Sequence, residues 1–279
     1  MNFYIWLGIF TLLILIGFVL DREIYFYEGV HLGPRVQAWL YDRWSRKYDE
    51  GKRKSQLRDN EMLAQPLLDA LQAAPVPEPF VLDFATGTGR LSFALMSRPE
   101  FKGRVIALDL SQGMLEQAAS KLSLYLSRVE LLRHQSLPLP FPDAAFDVVC
   151  ALEVLELFPA MDEPLAEFSR VLRPGGVLLA TRGTEESGRK AKVKSERDFT
   201  SLLNNNGFEN VQITQWWKLF DRVIAVKNGK SDPVGAKKLS DVMLCPTCGQ
   251  TQWKKEAGAL KCGNCGRQLS IAGDGIVLS

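Results

Sequence analysis

Val81-Leu82-Asp83-Phe84-Ala85-Thr86-Gly87-Thr88-Gly89-Arg90 is the stretch whose reading decides the fold. An apolar run ends in a carboxylate, passes through a turn of small residues and glycines, and continues into the amphipathic segment Leu91 to Met96. The pattern reads as a buried strand, a tight turn and a helix, the unit that lays a nucleotide-like ligand against exposed backbone. Gly87 and Gly89 supply torsions that other residues resist and clear side chains from the ligand's path. A second strand, Arg104 to Asp109, also ends in an acid. In a doubly wound sheet, an acid closing the second strand can accept hydrogen bonds from both ribose hydroxyls of an adenosine. Phe146 to Leu152 reads as a third strand. Arg170 to Gly176 reads as a turn closing a helix, and Val177 to Thr181 as a fourth strand. Strands alternating with helices imply an α/β fold, a doubly wound Rossmann-like parallel sheet with ligands at the carboxyl ends.

Outward from that core, the chain has attachments. At 279 residues it is longer than one minimal domain. A net charge of +2 provides no global field toward nucleic acid, so none is expected as partner. Phe3 to Leu20 carries no charged residue and, at ~1.5 Å per residue, is long enough to cross most of a hydrocarbon layer of roughly 30 Å. Tyr4 and Trp6 at one end, and Tyr25, Phe26 and Tyr27 beyond the other, match interfacial aromatic belts. A cleaved signal peptide is the rival reading. It wants a basic start and a small-residue cleavage site, and Phe18-Val19-Leu20 is a poor one. Arg22, Arg35, Arg43, Arg46 and Lys47 follow the span and none precedes it, which places the domain on the cytosolic side of a single-pass anchor. The expected organisation is a transmembrane anchor over 1–22, a helical linker and lid over 23–75, and a core over 76–228. A linker over 229–241 and a ribbon over 242–279 follow.

Within these segments, Gln37 to Leu71 reads as helical, and the closely spaced prolines Pro75, Pro77 and Pro79 break it before the first strand. Arg182 to Asp198 is polar, with Arg189, Lys190, Lys192 and Lys194 clustered. It reads as a solvated loop that, close to a membrane, would attract anionic head groups. Phe199 to Asn206 reads as a helix, and Val211 to Trp217 and Asp221 to Val226 as strands. Near the end stand Cys245-Pro246-Thr247-Cys248 and Cys262-Gly263-Asn264-Cys265. Two such pairs match a structural zinc ribbon with Cys245, Cys248, Cys262 and Cys265 as ligands. Two disulfides are the alternative, disfavoured in a reducing cytosol. Cys150 falls in a core strand and reads as packing.

These pieces together resemble the class I S-adenosylmethionine-dependent methyltransferases, in the branch that includes the ubiquinone and menaquinone biosynthesis methyltransferases. The resemblance is carried by Asp83 to Gly89, by Leu108 to Ser111 with Met114, by the run Leu137 to Asp143 before Phe146-Asp147, and by Arg170 to Gly176, and spans roughly residues 41 to 228. A dinucleotide dehydrogenase fits the Pro-rich run and the Pro-Gly-Gly turn poorly. The resemblance implies S-adenosyl-L-methionine as cofactor. Gly87 and Gly89 would pass under its methionine and ribose, Asp83 would organise the turn or meet its amino group, Asp109 would hold the ribose, and Leu110 and Met114 would flank the adenine. Tyr48, Thr86, Ser136 and Ala151 join these as implied cofactor positions. Ala85 replaces a glycine common in the family, tolerable if its torsion is ordinary. Gln135 replaces an acid that receives the adenine amino group, a bond an amide oxygen can also accept. Tyr41 to Asp49 resembles the segment that folds over the cofactor. The C-terminal tail Leu269 to Val277 is similar to the ending of small zinc-ribbon proteins that partner methyltransferases.

For chemistry, Glu153 to Leu157 resembles a Glu-x-x-Glu-His stretch used by some quinone O-methyltransferases, with Leu157 in place of the histidine. That leaves Glu156 as the candidate base, or both glutamates as acids favoured at a helix start. The expectation is methyl transfer to a lipid-soluble acceptor, a quinone precursor or a lipid, at a membrane. RNA or protein methylation with the ribbon gripping substrate, and a cofactor-binding scaffold without turnover, are the alternatives. No protein partner is indicated.

Overall fold

In the computed structural model, which describes residues 2–73, 75–187 and 193–279, the core is an eight-stranded sheet among the described residues, ordered β11-β3-β2-β1-β4-β5-β7-β6. The leading strand is β1 (Phe80–Phe84), followed by β2 (Arg104–Asp109), β3 (Val129–Arg133), β4 (Phe146–Ala151) and β5 (Leu172–Gly183). These five run parallel; β7 (Phe220–Lys227) is antiparallel to β5, and β6 (Phe208–Trp217) is antiparallel to β7. The chain winds outward from β1 to β3, then returns to the other side of β1 with β4, so the sheet reverses direction between β1 and β4. That is where a doubly wound fold opens a ligand crevice.

Every residue of β1 and β4 is buried, as parallel strands covered on both faces require. Because side chains alternate across a strand, the core splits into two layers. Phe80, Leu82 and Phe84 point to the layer shared with α6 (Asp162–Val171) and α7 (Glu196–Asn205). Val81 points to the layer shared with α3 (Gln65–Ala73), α4 (Arg90–Met96) and α5 (Gln112–Lys121).

Several expected boundaries move. β3 is a fifth parallel strand that the sequence analysis does not identify. The Arg170 to Gly176 turn is partly strand: α6 stops at Val171, Leu172 pairs with Phe146, and the register shifts before Val148 pairs with Val177. The segment expected as linker is tethered beneath the sheet, since the Val234 and Gly235 amides donate to Asp147 at 2.9 and 3.1 Å. Beyond α8 (Leu239–Val242), three strands, β8 (Trp253–Glu256), β9 (Ala259–Cys262) and β10 (Gln268–Ser270), form an antiparallel ribbon. Leu239, Val242, Trp253 and Leu260 from this region join the α6–α7 core layer. The tail then adds β11 (Val277–Leu278) in parallel beside β3. Among the loop cations, Arg189, Lys190 and Lys192 lie outside the described residues; the carbonyl of Lys194 accepts from Arg182 Nη1 at 2.7 Å.

At the other end, α1 (Asn2–Asp21) is exposed from Phe3 to its last residue. Phe3, Trp6, Phe10, Leu13 and Phe18 are each more than half exposed, and Phe3–Phe26 is long and apolar enough to cross a membrane. A compact knot follows. The Gly29 amide donates to the Glu23 carbonyl at 2.9 Å, the Arg22 guanidinium lies 5.7 and 5.4 Å from the Phe26 and Tyr27 rings, and Tyr41 Oη donates to Glu28. From there α2 (Pro34–Gln56) crosses the carboxyl end of the sheet, passing the N-terminus of α5.

Candidate cofactor and metal sites

The turn after β1 is built around Asp83. Its buried Oδ2 accepts from Thr86 Oγ1 at 2.7 Å and Ser92 Oγ at 2.6 Å, tying the turn to the first residues of α4. Of the two roles considered for Asp83, the geometry is that of a turn organiser. Gly89 faces away from the crevice: a Cβ there would meet Leu122 Cδ1 at 2.8 Å and Ala118 Cβ at 3.1 Å, so its φ of +76° serves the packing of α4 on α5. Ala85 is the correction here. Its φ is +53°, in the left-handed region, where an L-residue costs roughly 1–2 kcal/mol. The alanine is tolerated under strain.

A cavity of about 350 Å³ lies over the carboxyl ends of β1 to β4. Its floor is Phe84, Ala85 and Gly87 after β1, Leu108, Asp109 and Leu110 after β2, Gln135 and Ser136 after β3, and Leu152 to Val154 after β4. Asp109 is its electrostatic centre. Its Oδ2 accepts from the Gly87 amide at 2.8 Å and its Oδ1 from the Ser111 amide at 2.9 Å. Each oxygen keeps acceptor capacity for a further donor. Burial raises its pKa to about 6 despite those amides, with the Asp83 charge adding to the rise. Met114 and Leu110 give the wall an apolar side, and Gly87 leaves open space above the turn. A buried acid with spare acceptor sites beside an apolar slot has the polarity to take an adenosine moiety.

α2 closes the crevice. Tyr41 and Tyr48 face the cavity, and burial raises the pKa of both phenols, keeping them neutral. Two acids of α2 clamp it down. Asp42 Oδ1 accepts from the Gly113 amide at 2.8 Å and Ser111 Oγ at 2.6 Å. Asp49 accepts from Thr88 Oγ1 at 2.6 Å and pairs with Lys121 at 2.7 Å. Gly113 makes the approach possible, since a Cβ there would sit 3.0 Å from the Asp42 Cα.

The structure thus brings Tyr48, Ala85, Gly87, Asp109, Leu110, Met114, Gln135 and Ser136 onto one wall. Asp83, Thr86, Gly89, Ala151 and Glu156 lie off it. Ala151 is wholly buried in β4. Glu156 is 3 % exposed and its Oε1 accepts from the Gly183 amide at 2.7 Å, fastening the turn after β4 to the end of β5. That position suits an anchor, in place of the base suggested by the sequence. Glu153 is the acid that reaches the cavity. Its Oε1 accepts from Arg90 Nη1 at 3.1 Å, its other oxygen pairs with Lys52 of α2, and its amide donates to Thr181 Oγ1 at 2.7 Å. Arg90 in turn holds Asp59 at 2.5 and 2.6 Å. Sequence reasoning missed this network because its members come from four separate segments; Arg90, directly after the second glycine, was the available signal.

In the ribbon, the four cysteine sulfurs all lie within 4.8 Å of one another. Cys245–Cys265 and Cys248–Cys262 are 3.6 Å apart. A disulfide needs about 2.05 Å, whereas four thiolates about 2.3 Å from a tetrahedral zinc stand about 3.8 Å apart. The Gly249 and Gly266 amides close the two knuckles onto the Cys245 and Cys262 carbonyls at 2.8 and 3.0 Å. The donor set fits zinc.

Residues 81–176 match the family described as "Methyltransferase domain". Demethylmenaquinone methyltransferase of Thermus thermophilus is 38 % identical over 110 residues, covering 39 % of this chain and 48 % of the relative. The matched region spans about half the length of such relatives. A solved S-adenosylmethionine-dependent methyltransferase from Aquifex aeolicus superposes with a TM-score of 0.53 at 23 % identity, over 67 % of this chain and 98 % of that one. A chain from the complex of the Haloferax volcanii Trm112 methyltransferase activator with a putative methyltransferase aligns with a TM-score of 0.50 at 19 % identity, covering 67 % of this chain and 97 % of that one. Those two likenesses concern the fold. The family match runs from β1 into β5, so residues 81–176 form a methyltransferase domain, with an acid and an open glycine turn at the carboxyl ends of its strands.

Proposed function

We propose that the protein transfers a methyl group from S-adenosyl-L-methionine to a lipid-soluble small molecule, a quinone precursor or a lipid, while anchored by α1 with its domain on the cytosolic side. The observation that carries this reading is the joining of a membrane-length apolar helix to a largely apolar cavity by the short knot Arg22 to Gly33. The similarity to demethylmenaquinone methyltransferases supports the acceptor class. Asp109 would accept the ribose hydroxyls, Leu110 and Met114 would sandwich the adenine, and Gln135 and Ser136 would meet its polar edge. Tyr41 and Tyr48 would exclude water. The bound cofactor supplies a sulfonium methyl for in-line displacement, which needs alignment and dryness more than a base. Glu153, within the cavity but neutralised by Arg90 and Lys52, would position the lid over the reacting centre. Incubating the protein with methyl-labelled cofactor and membrane extract should place label in the lipid fraction; label confined to RNA or protein would overturn the acceptor class.

The four-cysteine cluster is proposed to hold one structural zinc. All four positions are sulfur, so its role is to fold the ribbon and thereby seat β11 on the sheet edge. Intact-mass measurement under native conditions should show one zinc per chain, lost on chelation. Two disulfides in its place would refute the assignment.

A further inference from the structure

The inner face of α2 is accounted for by the cavity, through Gln37, Tyr41 and Tyr48. Its outer face is not. Val36, Trp39, Arg43, Arg46, Lys47 and Lys54 recur at helical spacing on the opposite side and are all exposed. Trp39 is 58 % exposed and Val36 37 %. Arg35 and Arg53 flank this stripe, and the only acid on it is the exposed Glu50. None of these cations forms a salt bridge among the described residues, whereas Lys52, on the inner side, pairs with Glu153. The face is therefore apolar nearest the span and cationic farther along, with its charges unneutralised.

We propose that the outer face of α2 lies on an anionic bilayer surface, Val36 and Trp39 dipping into the head-group boundary and the cations meeting lipid phosphates. Two observations select this occupant. The first is continuity: the apolar helix ending at Phe26 leads into α2 through a knot stapled by the Glu23–Gly29 and Tyr41–Glu28 hydrogen bonds, so α2 begins at the depth where the span leaves the membrane. The second is charge order, apolar residues beside the span and cations beyond, as an interfacial helix on anionic lipid requires. One helix then separates membrane from cofactor cavity, the lid being the inner side of a surface-bound helix. This rests on the anchored reading of α1.

The test uses the full chain in lipid discs with tail-brominated lipid as quencher of tryptophan emission. The difference between the wild type and Trp39→Phe isolates Trp39; that between the wild type and Trp6→Phe isolates Trp6 within the span. On discs containing phosphatidylglycerol, both differences should be quenched. Replacing phosphatidylglycerol by phosphatidylcholine, raising the salt, or introducing Arg43→Glu, Arg46→Glu and Lys47→Glu together should each remove roughly half or more of the Trp39 quenching and leave Trp6 unchanged. Quenching of Trp6 without Trp39 on anionic discs overturns the surface while keeping the anchor; quenching of neither overturns the anchor itself. An unquenched Trp39 together with binding of single-stranded RNA that the triple charge reversal abolishes would make the face a nucleic-acid surface, and also overturns the proposal.

Discussion

The two ends of the same sheet each bury an aspartate, and they treat it oppositely. At the amino end, Asp147 is wholly buried yet saturated. Arg173 Nε donates at 2.7 Å, and the Val234, Phe80 and Gly235 amides donate at 2.9, 3.0 and 3.1 Å. At the carboxyl end, Asp109 receives the Gly87 and Ser111 amides and pairs with no cation among the described residues; its pKa rises to about 6. A closed ionic site at one end ties strands β1, β4 and β5 to the strap over 231–235. A half-compensated carboxylate at the other end awaits donors from a ligand. Under-compensation of this kind marks functional ends of a fold.

Breaking the closed end should have the largest effect. Asp147→Ala leaves Arg173 buried without its partner and should lower stability by about 3–5 kcal/mol, seen as a fall in the denaturation midpoint. Asp147→Leu with Arg173→Met should recover only part of that loss, because it removes the unpaired buried charge but leaves the Phe80, Val234 and Gly235 amides without their acceptor. A small effect of the single change would erase the contrast between the ends. Asp109→Ala should do the reverse: stability little changed, and cofactor affinity by calorimetry weakened about 10- to 100-fold, as expected for hydrogen bonds to a charged group of about 1.5–3 kcal/mol.

The same carboxylate sharpens the comparison through pH. Its folded pKa lies above its ordinary 3.8, so the folded state binds the proton more tightly. Its contribution to stability therefore grows as pH falls from about 6 toward 3.8 and is lost as pH rises through about 6. If Asp109 holds the ribose as proposed, cofactor affinity should run the other way, weakening below pH 6 as its carboxylate is protonated. Asp109→Asn should flatten the stability trend, measurable by thermal melts across that window. The smallest effect lies in the turn: Ala85→Gly relieves a φ of +53° and should raise stability by about 0.5–1 kcal/mol, net of the entropy glycine adds to the unfolded chain.

Much of the carboxyl end was legible because it is local. Asp83, Gly87 and Gly89 lie within one strand-turn-helix unit, and Asp109 is recognised by ending the next apolar run. Even there, the side to which each group faces was not legible: Gly89 serves α5, and Ala85 bears the torsion that a glycine would relieve. Glu156 and Glu153 are three residues apart, yet only the second reaches the cavity, because the turn after β4 places Glu153 at a φ of +54° and points Glu156 back to Gly183.

By itself, the chain's order of apolar runs, glycines and paired cysteines determined an α/β sheet, a membrane-length helix and a four-sulfur cluster, since each is set by residues adjacent along the backbone. Tertiary structure alone decided that Asp147 gathers donors from Phe80, Arg173 and the strap, that Glu153 joins Arg90 and Lys52, and that the ribbon's tail becomes the edge strand beside β3. Those pairings bridge tens to more than a hundred residues. Their partners are chosen by where folding brings buried charge and open strand edge together, which no local window of sequence contains.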